Sequence, residues 1–201
     1  MEFQPQIGDV ILRRNLTLPG LIAYSIFPST KLHWPSGKYP NQLAIHSSIF
    51  AYKNFEAGVF ESSYFKIFFF TSWKDYLKLA ESGQFEMKVC RMKNLGDENK
   101  NRLNEYLNKK LNNKIKYDYL GPIALMLDAI LRKTIFRFHS KPRWFCYEVV
   151  KYSYGHVHKD FFGLNFPTPE YLEEIVNSGI LEVVADIYKD ENGLRCLEYL
   201  K

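Results

Sequence analysis

The sequence predicts an α+β fold in which an antiparallel sheet packs against helices. Two observations carry this prediction. Short apolar or alternating runs, separated by turn chemistry, fill the first 92 residues and return after 181. Segments of helical periodicity occupy the middle, so strands and helices are grouped rather than alternating as βαβ units.

Ile7-Gly8-Asp9-Val10-Ile11-Leu12 reads as an opening strand after a turn. Leu18, Leu21, Ile22 and Ile26 have helical spacing, with Pro19 suited to a first turn. Residues 28–41 hold Pro28, Pro35, Gly37 and Pro40, which marks a long loop of the kind that often serves function. Leu43 to Tyr52 and Val59 to Tyr64 are strands, joined as a hairpin through the turn-forming stretch Asn54-Phe55-Glu56-Ala57-Gly58. Lys66 to Thr71 is a further strand, and a short helix over Trp73 to Ala80 ends near Gly83. Phe85, Met87 and Val89 alternate onto one face of a strand running to Met92.

Asp97 is expected to cap a helix whose apolar stripe is Leu103, Tyr106, Leu107 and Leu111. Tyr117 to Phe138 reads as a second helical region, more apolar all round, and Cys146 to Tyr154 as a third. Thr168-Pro169-Glu170 opens a helix carrying Leu172, Ile175 and Val176, which Gly179 stops. Leu181, Val183, Ala185 and Ile187 alternate as a strand, and Leu194 to Leu200 forms a last one. No repeat or linker interrupts the 201 residues, so one domain over 1–201 is expected.

Composition narrows the class. Hydrophobic residues make up 46% and charged residues 24%, which excludes a disordered or fibrous chain. The net charge of +5 is spread along the chain, with a local concentration at Arg132, Lys133, Arg137, Lys141 and Arg143. It permits contact with an acidic surface without a nucleic-acid module being present, and no nucleic acid partner is expected. Cys90, Cys146 and Cys196 are an odd set without metal spacing, so neither a disulfide framework nor a zinc site is expected. The start of the chain lacks the pattern of a signal peptide. Leu120 to Leu131, the most apolar run, is too short to span a bilayer, so a cytoplasmic protein is expected.

The chemistry centres on Arg143-Trp144-Phe145-Cys146-Tyr147-Glu148. After the break at Pro142, Cys146 stands where a helix begins. Unpaired N–H groups and the helix dipole there favour a thiolate, and the same N–H groups can hold an oxyanion. Cys90 and Cys196 sit in strand-like stretches and read as packing residues. A thiol nucleophile needs a histidine, and His46 lies inside the apolar run Leu43-Ala44-Ile45-His46-Ser47-Ser48-Ile49-Phe50, where an ionisable ring needs a reason. The plain alternative is a satisfied core histidine. His33 lies in the long loop, His139 on a basic connector, and His156 and His158 flank Val157 as a metal-like pair without a third ligand.

Taken together these residues resemble the circularly permuted branch of the NlpC-like papain-fold superfamily. That branch includes the YiiX/YebB-like bacterial proteins and the relatives of lecithin:retinol acyltransferase. Gly8-Asp9-Val10-Ile11-Leu12 looks like its opening strand, His46 like its catalytic histidine, Glu61 like the polar residue on the next strand, and Phe145-Cys146-Tyr147-Glu148-Val149-Val150 like its late cysteine motif. Tyr117-Asp118 and Thr168-Pro169 are similar to further family segments.

The resemblance implies a papain-like sheet or small barrel packed against helices, with Cys146 as nucleophile, His46 as base and Glu61 as its orienter. It implies hydrolysis of an amide or peptide bond through a thioester, without metal or organic cofactor. Tyr117 is a candidate second oxyanion donor. A lipid acyl ester or amide is the alternative substrate, with Ile123, Leu127, Ile130 and Leu131 as an acyl wall or a peripheral membrane contact. A peptide- or lipid-binding module without turnover is the non-enzymatic alternative. The chain departs from the family in carrying Tyr147 after the cysteine, where a small residue is usual, and Ser47-Ser48 after the histidine, where a small apolar pair is usual. Tyr147 is thereby marked as a residue that shapes what the site accepts. A hairpin turning near Glu56 would set His46 opposite residue 66, so Glu61 needs twist or a bulge to reach the ring. Glu56 and Ser48 are the other candidate orienters.

Overall fold

The computed structural model describes residues 3–16, 34, 46–63, 66–121, 123, 124, 127, 143–158, 175, 176 and 178–199. The long loop of 28–41 apart from Trp34, the helix expected from Leu18, and most of the helix expected from Thr168 lie outside the described residues.

The architecture is a large antiparallel sheet between helices. The strands are β1 (Val10–Asn15), β2 (His46–Lys53), β3 (Glu56–Ser63), β4 (Lys66–Ser72), β5 (Phe85–Met92), β8 (Leu181–Asp190) and β9 (Gly193–Glu198). Their order is β4-β3-β2-β1-β5-β8-β9, with every neighbouring pair antiparallel. Strands β4 and β9 do not pair with each other, so the sheet is open; the small barrel is not formed. A separate parallel pair joins β6 (Lys116–Tyr117) to β7 (Arg143–Trp144).

Strand β1 is central and buried on both faces, which explains its run of apolar residues. Val10 and Leu12 enter one core, and Ile11 enters the other. Helix α1 (Trp73–Glu81) covers the Ile11 face with Trp73, Tyr76 and Ala80. Ser72 caps it, its hydroxyl accepting from Asp75 N–H at 3.2 Å. Helices α2 (Asp97–Asn112) and α3 (Cys146–Val157) contribute to the core on the Leu12 face. Leu103 and Leu107 of α2 and Val149, Val150 and Tyr154 of α3 are fully buried there. Each such apolar side chain stabilises the fold by about 1.5–3 kcal/mol.

Four local expectations are corrected. The cap of α2 is Gly96 rather than Asp97, which falls inside the first helical turn. Residues 116–117 are strand, and helix begins only at 120, because β6 is drawn into register with β7. Strand β1 begins at Val10 and extends through Arg13 and Arg14 to Asn15. The β2–β3 turn is two residues long: Asn54 and Phe55 both have positive φ, 49° and 67°, as a tight hairpin turn requires. Gly58 therefore lies within β3, where a Cβ would stand 2.3 Å from the Thr71 carbonyl oxygen.

Candidate active site

The hairpin register decides which carboxylate can meet His46. The β2–β3 ladder runs from Lys53↔Glu56 to Ile49↔Phe60. Continued, this register sets His46 opposite residue 63, and Glu61 becomes its diagonal neighbour on the same face. The His46 Nε2–Glu61 Oε2 distance is 2.7 Å. Glu56 stands at the far end of the strand, and Ser48 Oγ is buried beside Tyr76 OH.

Backbone parity explains what happens beside His46. Phe50 exchanges hydrogen bonds with the β1 side, through Gly8 N–H and the Asp9 carbonyl. Ile49 and Ser47 therefore direct their backbone groups toward β3. The recorded β3 pairing stops at Ile49, and the Ser47 N–H faces the Cys146 sulfur instead.

The start of α3 is gripped from the sheet. Trp144 pairs with Tyr117, and its carbonyl accepts from Asp118 N–H at 3.2 Å and from Ser62 Oγ at 2.7 Å. Ser47 Oγ donates to the Cys146 carbonyl at 3.1 Å. Phe145 is the extended residue before the helix, and its N–H donates to Glu148 Oε2 at 3.1 Å. A phenyl ring cannot cap, so the reciprocal bond comes from the backbone, Glu148 N–H to the Phe145 carbonyl at 3.1 Å. Cys146 is thus the first helical residue, as its sequence context predicts.

The resting charges follow from burial and partners. Cys146 is 7% exposed, and burial pushes its thiol up to about 11. The Ser47, Tyr147 and Cys146 N–H groups and the Arg13 charge pull it back only in part. The expected depression by the helix start is therefore outweighed, and the thiol is protonated at neutral pH. Burial, then the Arg13 charge, lower the His46 pKa, against the opposing pull of Glu61. Burial raises Glu61, yet hydrogen bonding with His46 and the charges of His46 and Arg13 hold it below the usual carboxylate range. Thr71 Oγ1 adds a hydrogen bond to Oε1 at 3.3 Å. An ionised Glu61 only accepts, so Nε2 carries the His46 ring proton and Nδ1 is the basic nitrogen.

Tyr117 stands in register with Trp144, two residues before the cysteine, and is buried. Tyr147 is buried too, its ring edge-on to Phe145, and its N–H faces the sulfur. Glu148 and Asp118 lie buried beside this helix start. Burial raises Glu148 to about 8, and the Asp118 charge adds to the rise.

Two neighbours of His46 and Glu61 were not singled out from the sequence: Arg13 and Tyr76. Arg13 had a visible signal, since a basic residue directly continues the apolar run Val10-Ile11-Leu12. Tyr76 had none, because its place depends on helix packing, and Ser47 was marked only as a departure from the resembled family.

Among the described residues no group of three His, Cys, Asp or Glu could hold an ion. His46 Nε2 is engaged by Glu61, and His156 stacks on Tyr106 at 4.3 Å. His33 and His139 lie outside the described residues. No helix among those residues is long and apolar enough to cross a membrane.

No family model and no curated protein matches the sequence. Among solved structures, the chain is similar to the metalloprotein YiiX from Escherichia coli O157:H7. The similarity covers 99% of this chain and all of that one, with a TM-score of 0.52 and 18% identity. The protein therefore has a YiiX-like fold.

Proposed function

We propose that the protein is a permuted papain-like cysteine hydrolase that cleaves an amide or peptide bond through a thioester. The observation that carries this reading is the 2.7 Å His46–Glu61 contact, formed beside the residue whose N–H faces the Cys146 sulfur. A carboxylate, an imidazole with a basic Nδ1 and a thiol at a helix start are the parts such a reaction needs.

In this mechanism the thiol passes its proton to His46 Nδ1 as the sulfur attacks the substrate carbonyl carbon. Glu61 stabilises the imidazolium that forms. The Cys146 N–H holds the oxyanion, with Tyr117 as a second candidate donor. His46 then protonates the leaving amine as the C–N bond breaks, which leaves an acyl thioester on Cys146. Water attacks that thioester, His46 takes its proton, and the released sulfur recovers the proton as the acid departs. Because the thiol is neutral at rest, His46 acts as a general base during attack rather than within a preformed ion pair.

A lipid acyl substrate is the second reading. Ile123 is 47% exposed and Leu127 36%, so both are available to an apolar ligand; Ile130 and Leu131 lie outside the described residues.

Acid-quenched mass spectrometry of the protein with panels of peptide amides and acyl esters tests the reaction class. A substrate acyl mass on the peptide containing Cys146, absent in Cys146→Ala, is the expected result. Turnover that persists in Cys146→Ala would contradict it.

A further inference from the structure

Arg13 stands opposite His46 in the β1–β2 register. Its NH1 is 3.6 Å from Glu61 Oε2, the same oxygen that meets His46 Nε2. The guanidinium lies over the Phe85 ring at 4.9 Å and the Tyr76 ring at 5.9 Å. Arg91 and Asp9 show what an arginine–carboxylate pair looks like when pairing is its main role. Two hydrogen bonds of 2.9 and 2.8 Å join them in a fork. Arg13 forgoes that fork: Glu61 gives its nearer contact to His46, and Arg13 Nε is buried without a hydrogen-bond partner. Ser48 Oγ and Tyr76 OH are buried beside it, with Tyr76 OH facing both Ser48 and Arg13. Buried polar groups left unpaired are uncommon and call for a reason.

We infer that Arg13 is a positioning residue of this site: its guanidinium, seated on the Phe85 and Tyr76 rings opposite His46, balances the Glu61 carboxylate in place of a protonated His46 ring. The inference rests on the proposed hydrolase only for its consequence at Cys146. Among the described residues, the charged and titratable groups around this pair are Arg13 from β1, Glu61 from β3, Tyr76 from α1 and Cys146 from α3. Arg13 is the cation among them. Its charge disfavours the imidazolium and favours the thiolate, so it separates the two states that the reaction must exchange. Removing it makes His46 easier to protonate and Cys146 harder to ionise.

The test is the His46 ring titration, followed by nuclear magnetic resonance in the full chain. Arg13→Gln is expected to raise the His46 midpoint by about one pH unit, and Arg13→Lys to return most of that shift. An unchanged midpoint in folded Arg13→Gln overturns the inference. Should that variant not fold, the wild type answers the same question: the Arg13 Nε–H resonance must move with the His46 midpoint, and a flat resonance overturns it. Alkylation of Cys146, measured in Arg13→Gln and His46→Asn, separates this inference from the hydrolase reading. A shifted His46 midpoint with alkylation indifferent to both changes supports Arg13 and removes the hydrolase. An unchanged midpoint with alkylation that falls in His46→Asn overturns Arg13 and leaves the hydrolase standing.

Discussion

Buried charge is handled in two different ways at the two ends of the central sheet. Toward β5 and β8, Lys88 Nζ meets both oxygens of Asp186 at 2.8 and 2.9 Å, and Tyr199 OH adds a third bond at 2.8 Å. Arg14 pairs with Glu86 on the same side of the sheet. Toward β2 and β3, Arg13 stands 3.6 Å from Glu61, which gives its 2.7 Å contact to His46. Both regions are largely buried, so burial alone does not mark the site. In the first region close, multiple contacts join the opposite charges. In the second the arginine stands back from the carboxylate, a looser pairing that function can explain.

The largest expected effect separates the regions by chemistry. Cys146→Ala and His46→Ala should each lower turnover about 10³-fold or more, and Glu61→Gln roughly 10²- to 10⁴-fold, measured as kcat/KM on the substrate found. Lys88→Met should leave the Cys146 reaction rate of the folded protein unchanged. Its effect belongs to stability: an uncompensated Asp186 costs about 3–5 kcal/mol in urea unfolding, while Lys88→Met with Asp186→Leu recovers most of it. Equal loss of activity from the Lys88 and His46 changes would erase the distinction.

A smaller effect concerns pH. The Glu148 carboxyl is raised to about 8 in the folded protein from an ordinary value of 4.5. The folded state therefore holds a proton that the unfolded state has released, and stability falls as pH rises through that window. Glu148→Gln keeps an acceptor for Phe145 N–H and should flatten this fall, which is on the order of 4–5 kcal/mol at about 1.4 kcal/mol per unit. Urea unfolding between pH 5 and 8.5 measures it; an identical slope in the variant would refute the assignment. The smallest effect is at the buried hydroxyls. Ser48→Ala and Tyr76→Phe should each change stability by no more than about 1 kcal/mol in urea unfolding, because each removes at most a weakly made hydrogen bond between them.

The fold was legible where one residue type leaves few choices. Alternation placed β5 at Phe85–Met92, and the cysteine after Phe145 fell on the first residue of α3 as expected. The contact between His46 and Glu61 was expected from the resemblance, although the register was not. Asn54 and Phe55 make a two-residue turn, and a large aromatic at positive φ, 99% exposed, gives no sequence signal for it. Shifting that turn moves the residue opposite His46 from 66 to 63, and β3 is irregular between Glu61 and Ser63, as the reach of Glu61 to the ring was expected to need. The state of the thiol was misjudged for a different reason. A helix start is visible in sequence, but the depth at which α3 is pressed against Ser47 and Ser62 is a tertiary quantity, and it outweighs the helix-start N–H groups.

The central claim is that His46, oriented by Glu61, activates Cys146. Cys196 supplies an internal standard: burial pushes both thiols up to about 11, and Cys196 is the more exposed of the two. Without a base, Cys146 should be the slower to react. The decisive measurement is the iodoacetamide alkylation rate of each cysteine at pH 7.5, resolved by peptide mass, in wild type and His46→Ala. The account predicts that Cys146 reacts faster than Cys196 in the wild type and falls about tenfold or more in the variant, with Cys196 unchanged. Cys146 reacting no faster than Cys196, at a rate indifferent to His46, would contradict it.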